Sequence, residues 1–387
     1  MTMTHDFDGI TLEQLRRTGG MKWSRFGGDV IGAFVAEMDF GTAPCVTSAL
    51  HAAVDTMNFG YLPASMSQAM SEACAQWQNT VYGWSVAPEQ IHPLPDVIRG
   101  LQAAIEHFST PDSAIVLPTP AYMPFFFVPT LMGRDIIEVP MVETTDGRLD
   151  LDLAGIGRAL TDGGNLVVLC NPHNPCGRVY EPGELRALAA VVDAHGGRVF
   201  ADEIHAPLVY GPSVHVPYAS VSDTAAGHAI TATSASKAWN LPGLKCAQLI
   251  ISNDHDAELW EEVGMMASHG ASNLGVVANT AAFAEGRPWL EEIMGYLDGN
   301  RHRLSELIDR HLPGVRYTPP QGTYLAWLDC RALDLGDHPG DRFRDETEVA
   351  LVDGSMCGGP GHVRLNFATP RPILDQMLER MGRLVAA

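Results

Sequence analysis

Between Ile91 and Ser252, short and nearly uninterrupted apolar runs alternate with stretches whose apolar residues keep helical spacing. The runs predict strands over 114–117, 136–140, 166–170, 199–201, 230–233 and 247–251. The stretches between them predict helices over 97–108, 122–132, 184–194 and 256–269. Continuous apolar character, rather than alternation, is what a strand needs when both of its faces are buried. Such strands build mostly parallel sheets covered by helices. Upstream, residues 44–57 read as a helix with Pro44 near its first turn. Residues 67–81 read as another, on the spacing of Met70, Cys74, Trp77 and Val81. Residues 58–63 are a turn-rich loop carrying Phe59 and Tyr61. Residues 287–311 form one long helix on apolar positions 290, 293, 294, 297, 304, 307 and 308, with Pro288 near its start. Strands over 324–328 and 363–367 and a helix over 373–384 follow, with 334–348 as a charged surface excursion. No internal repeat or low-complexity tract is found. The expected organisation is an extended arm with one short strand (1–45, part of the small domain), a large α/β domain (46–286) and a small α+β domain (287–387).

Composition narrows the function. With 387 residues and 46% hydrophobic content, the chain can bury a large core. Mean hydropathy is near zero. The formal net charge of −21 opposes nucleic acid and anionic lipid as partners, so an anionic ligand needs cations of its own inside the site. The start, MTMTHDFDGI, has neither a basic nor an apolar leader region, and no run of about 18 apolar residues suggests a membrane span. The seven cysteines are scattered without a C-x-x-C pair, as in a reducing cytoplasm. The histidines show no paired ligand spacing, so no metal is expected.

In a parallel sheet, ligands bind where the carboxyl ends of strands meet the following loops. The run 230–233 ends in Ser234-Ala235-Ser236-Lys237, with Lys245 at the next bend. Lys237 is either a solvated strand-end charge or an amine kept neutral by burial, able to condense with a carbonyl. The run 199–201 ends in Asp202-Glu203-Ile204-His205. An acid there is costly unless it meets a cation, which makes Asp202 a structural ion pair or a partner for a protonated heterocycle. After 166–170 comes the stiff loop Asn171-Pro172-His173-Asn174-Pro175. Asp96 precedes the helix over 97–108, whose free amides suit phosphate although Asp96 is a poor neighbour for an anion. Tyr122 either stacks on a flat ring or packs.

Helix N-terminus, aromatic, Asn-Pro loop, Asp and Ser-x-Ser-Lys follow successive strands in one order. That order resembles the fold-type I pyridoxal-phosphate enzymes, the aspartate-aminotransferase-like superfamily, over nearly the whole chain. The resemblance implies that fold, with a mostly parallel seven-stranded sheet, and pyridoxal 5′-phosphate as cofactor. It implies that Lys237 forms the Schiff base and that Asp202 holds the pyridine nitrogen protonated. Asn174 bonds the ring oxygen and reaches the substrate carboxylate. Tyr122 stacks, and His205 lies against the same ligand. Ser234, Ser236, Lys245 and the amides of Val97 and Ile98 hold phosphate, with Lys245 where many relatives carry arginine. Tyr61 reaches across a homodimer interface to the neighbour's site, and Arg364 clamps the substrate carboxylate.

Three features resemble one branch of that superfamily, the cystathionine β-lyase-type C–S lyases. They are DEIH at 202–205, where transaminating relatives commonly have tyrosine at the last position; FVAEMDF at 34–40, similar to W-V-A-D-M-D-F; and NFGY at 58–61. The implied reaction is β-elimination from an L-cysteine S-conjugate to thiol, pyruvate and ammonia, with Glu37 and Asp39 on the substrate side. Transamination, decarboxylation and a non-catalytic cofactor-binding role are the alternatives. Glu37, Asp96 and Cys357 depart from the branch's usual Asp, Gly and aromatic residue.

Overall fold

The computed structural model describes residues 5–385, so the first four residues of the expected arm lie outside it. Its centre is a seven-stranded sheet in the order Ile91–Leu94, Ala247–Ile251, Ala229–Thr233, Arg198–Asp202, Gly164–Cys170, Ala114–Thr119, Ile136–Pro140. The five strands from Ala229–Thr233 to Ile136–Pro140 are parallel, while Ala247–Ile251 runs antiparallel to both of its neighbours. All six expected strands are present. The seventh, Ile91–Leu94, was hidden by Pro93, which argues against an interior strand. It lies at the sheet edge, where a missing N–H is tolerated. Ile115, Leu117, Leu166, Phe200, Ile230 and Leu249 are essentially inaccessible, and each aliphatic side chain buried this way stabilises the fold by roughly 1.5–3 kcal/mol.

The helix Val97–His107 lies close on the sheet because Gly100 has no side chain. A Cβ there would come within 3.2 Å of Leu94, 3.3 Å of Ala232 and 3.5 Å of Phe200. The helix Asn273–Glu285 escaped the sequence reading, since its small residues bury on several sides and leave no polar face. It packs against both Pro44–Asp55 and Ala64–Tyr82.

A second, antiparallel sheet runs in the order Arg316–Tyr317, Leu325–Asp329, His362–Asn366, Val352–Asp353. The long helix Arg287–His311 lies against the helix Arg371–Val385. The supposed surface excursion at 334–348 contains the helix Pro339–Thr347, whose Phe343 is fully buried beneath a charged exterior. The arm is more structured than expected. Leu12–Arg17 is a helix with a reciprocal Thr11–Gln14 cap, Met21–Ser24 is another, and Ile31–Gly32 pairs in parallel with Val349–Ala350.

Candidate active site

The carboxyl ends of the parallel strands and the arm converge on Lys237. Its Nζ donates to the Ala36 carbonyl at 2.9 Å, and the Tyr324 hydroxyl donates to the same oxygen at 2.9 Å. Burial pulls the Lys237 ammonium down to about 8. The Arg364 charge adds to the fall, while Glu37 and Asp202 oppose it. About a tenth of Lys237 is therefore free amine at pH 7, far more than an ordinary lysine offers.

Asp202 ends its strand buried, with the Ile204 amide donating to Oδ1 at 3.0 Å. Burial pushes its carboxyl up to about 7 against the opposing pull of that amide and of Lys237. No salt bridge within 4 Å relieves it among the described residues. His205 is buried beside the Tyr324 ring, with centroids 6.1 Å apart, and its Nδ1 has no hydrogen-bond partner. Burial, then the charges of Lys237 and Arg364, hold the imidazole well below its usual range and therefore neutral.

Arg364 is 2% exposed and has no acidic partner among the described residues. Its Nη1 donates to Asn174 Oδ1 and its Nη2 to the Phe34 carbonyl, both at 3.0 Å, while Nε is unpaired. Burial lowers its pKa. A buried guanidinium with donors to spare and no counter-ion is matched to a carboxylate. Tyr122 lies close enough to Arg364 and Asp202 to feel both charges. The loop carrying Asn174 turns at Gly177, φ +68°, where a Cβ would fall 2.2 Å from Pro320.

At the other end of the site, the Ser234 hydroxyl donates to the Cys246 carbonyl at 2.8 Å and accepts the Ser236 amide at 3.0 Å. Ser234 thus shapes the turn, while the Ser236 side chain makes no bond of its own among the described residues. Asp96 caps the helix, accepting the Arg99 amide at 2.8 Å, and leaves the first amides, of Val97 and Ile98, uncapped. Lys245 lies on Asp96 Oδ2 at 2.9 Å.

Two expected residues lie elsewhere. Asp39 is not free for a substrate: Lys22 Nζ donates to Oδ2 at 2.7 Å and Trp23 Nε1 to Oδ1 at 2.8 Å, all buried. Those bonds pin Asp39 to the arm's second helix, Met21–Ser24. Tyr61 is 96% exposed and makes no hydrogen bond within the described chain. Its loop is held by Asn273 Nδ2, which donates to Asn58 Oδ1 at 3.1 Å and to the Gly60 carbonyl at 3.0 Å. Glu37 is half-buried, its carboxylate has no partner among the described residues, and its carbonyl accepts Asn366 Nδ2 at 2.7 Å. Sequence reasoning missed Tyr324 and the carbonyls of Phe34 and Ala36. Tyr324 resembled any aromatic entering a strand, and a carbonyl has no residue type.

The groups present fit pyridoxal 5′-phosphate. An unrelieved buried carboxylate suits a protonated ring nitrogen, a depressed lysine suits an aldehyde, and uncapped amides beside a lysine suit a phosphate.

Residues 29–381 match the family described as aminotransferase class I and II. The chain is 39% identical to cystathionine β-lyase of Corynebacterium glutamicum, over 97% of this chain and 99% of that one. A crystal structure from Corynebacterium diphtheriae, provisionally described as a PLP-dependent β-cystathionase, is 40% identical, with 98% of each chain covered and a TM-score of 0.92. The PLP-bound C-S lyase of Staphylococcus hominis is 26% identical, covering 100% of this chain and 99% of that one, with a TM-score of 0.90.

Proposed function

We infer the reaction from one premise: the chain belongs to the aminotransferase class I and II family, and within it to the cystathionine β-lyase branch. It is a pyridoxal-phosphate-dependent carbon–sulfur β-lyase that releases thiol, pyruvate and ammonia from an L-cysteine S-conjugate. One observation supports the site assignment above the others. Lys237, Asp202 and Arg364 are three ionisable groups brought together with no opposite charge in salt-bridge contact among the described residues, and an amino acid with this cofactor supplies each with a partner.

Arg364 and Asn174 bind the substrate carboxylate and fix the Cα within reach of Lys237. The bound cofactor supplies an electron sink, and Asp202 keeps its ring nitrogen protonated. Lys237, as a free amine, takes the Cα proton. The Ala36 carbonyl, shared with Tyr324, aims that nitrogen. Neutral His205 adds no charge beside the ring. The Cβ–S bond breaks as the electron pair left by the Cα proton forms a Cα–Cβ double bond; sulfur leaves as thiolate, a weak enough base to depart without strong assistance, and water hydrolyses the released enamine acid to pyruvate and ammonia.

The substrate is an amino-acid thioether, with Glu37 beside the group on sulfur. The working unit is a homodimer in which Tyr61 of each copy completes the other's phosphate site. Met57, Phe59, Tyr61, Met265 and Met266 stand exposed, and Phe59, Tyr61 and Met265 line one surface pocket, an apolar grouping that suits an interface. The compartment is the cytoplasm, in keeping with Cys74, Cys170, Cys246, Cys330 and Cys357 serving as buried thiols.

The test is incubation of the loaded enzyme with cystathionine. Pyruvate and free thiol should form with no oxo acid added. A strict requirement for an oxo-acid acceptor would replace elimination with transamination.

A further inference from the structure

The cup assigned to the cofactor's phosphate already contains an anion, one that belongs to the chain. Asp96 occupies the N-cap of Val97–His107, an eleven-residue helix whose first amides face the cup. One of its oxygens is committed to the Arg99 amide at 2.8 Å, so the carboxylate is held in place. The other takes Lys245 Nζ at 2.9 Å. Lys245 is the one lysine or arginine among the residues assigned to this cup. It is fixed at a bend with φ +54°, on a turn closed by Ser272, whose amide donates to the Lys245 carbonyl at 3.0 Å. Neither partner is buried: the side chains are 59% and 40% exposed. The pair therefore adds little to stability and yields to a competing charge.

We propose that Asp96 is an internal competitor for the cofactor's phosphate group. It draws off the charge of Lys245 and repels the incoming dianion, and so sets how readily the protein gives up its cofactor. This rests on the reading of the cup as the phosphate site. It goes beyond that reading by making retention of the cofactor an adjustable property, controlled by a residue that takes no part in the reaction. A carboxylate a few ångströms from a dianion acts through a field that salt screens, so the penalty is greatest at low ionic strength.

The decisive variant is Asp96→Asn. Asparagine keeps the N-cap and removes only the charge, so the cofactor-free protein should melt at the parent temperature. Cofactor-free parent and variant are titrated with pyridoxal 5′-phosphate, following visible absorbance, and separately with pyridoxal, which has no phosphate. The expected result is tenfold or greater tightening for the phosphorylated ligand, shrinking as salt is added, with no change for pyridoxal. Equal or weaker binding of the phosphorylated ligand by Asp96→Asn would overturn the inference, as would equal tightening for both ligands. Lys245→Met keeps the two readings apart. If it leaves the affinity of the phosphorylated ligand unchanged in both the parent and the Asp96→Asn backgrounds, the phosphate does not lie in this cup and the site assignment itself fails.

Discussion

Two regions of this protein bury charge, and they do so in opposite ways. In the arm, Lys22 and Asp39 meet at 2.7 Å with side chains 2% and 3% exposed, and Trp23 satisfies the remaining oxygen. In the site, Asp202 and Arg364 are about as deeply buried, at 4% and 2%, yet among the described residues neither has an opposite charge in salt-bridge contact. The first arrangement is closed: both carboxylate oxygens of Asp39 have a donor, one of them an opposite charge. The second is open, and its cost is visible in the displaced pKa values of Asp202 and Lys237. Burial alone does not mark a functional charge. Burial without a partner does.

The comparison can be broken at four points. The largest effect is at Lys237. Lys237→Ala should abolish turnover and the visible absorbance of lysine-bound cofactor, while circular dichroism stays that of the parent. Measurable thiol release by that variant would remove Lys237 from the chemistry. Next comes the closed pair. Lys22→Met leaves Asp39 buried and alone, which should cost about 3–5 kcal/mol in urea unfolding while sparing kcat per folded molecule. A stable Lys22→Met protein with lost activity would return Asp39 to the substrate side.

The same operation on the open region should have the reverse sign. The Asp202 carboxyl stands at about 7 in the folded chain. Unfolding lets it return to the ordinary carboxylate range, so above pH 7 its ionised form opposes folding by up to roughly 4 kcal/mol, and the penalty fades as pH falls toward 4. Cofactor-free Asp202→Asn should therefore be more stable than the parent at pH 8, match it near pH 4, and be inactive at both. Denaturant melts across pH measure this directly. The smallest effect concerns rate. Capture of the cofactor needs the neutral amine of Lys237, whose ammonium titrates near 8. The capture rate should drop about tenfold per pH unit below that point and level off above it. Rapid-mixing absorbance would detect a continued rise toward pH 10, the behaviour of an ordinary lysine.

The same contrast explains what the sequence disclosed. Lys237, Asp202, Asn174 and Arg364 were legible because each follows or lies on an apolar run, and a polar group there needs a reason. Asp39 was misplaced because a carboxylate in a suggestive motif looks alike whether it is satisfied or not. Its partner Lys22 lies 17 residues away, with no sequence pattern tying the two together. Strands buried on both faces were readable from their runs, whereas Ile91–Leu94 was masked by Pro93 and Asn273–Glu285 by residues too small to show a period. Tyr324 and the arm carbonyls were beyond reach, because their role depends on three distant segments meeting.

The arm has one more consequence, and it concerns inheritance. Arg364 donates to the carbonyl of Phe34, Asn366 to those of Val35 and Glu37, and Lys237 to that of Ala36. Every one of these acceptors belongs to the main chain. A point mutation at 34–37 exchanges a side chain but leaves the carbonyl where it was, provided the path of the chain holds. The geometry around the lysine is thus sheltered from side-chain variation in those same few codons. Descendants of this gene can try new residues at position 37 without first rebuilding the hydrogen bonds that hold Lys237, Arg364 and Asn366 to the arm.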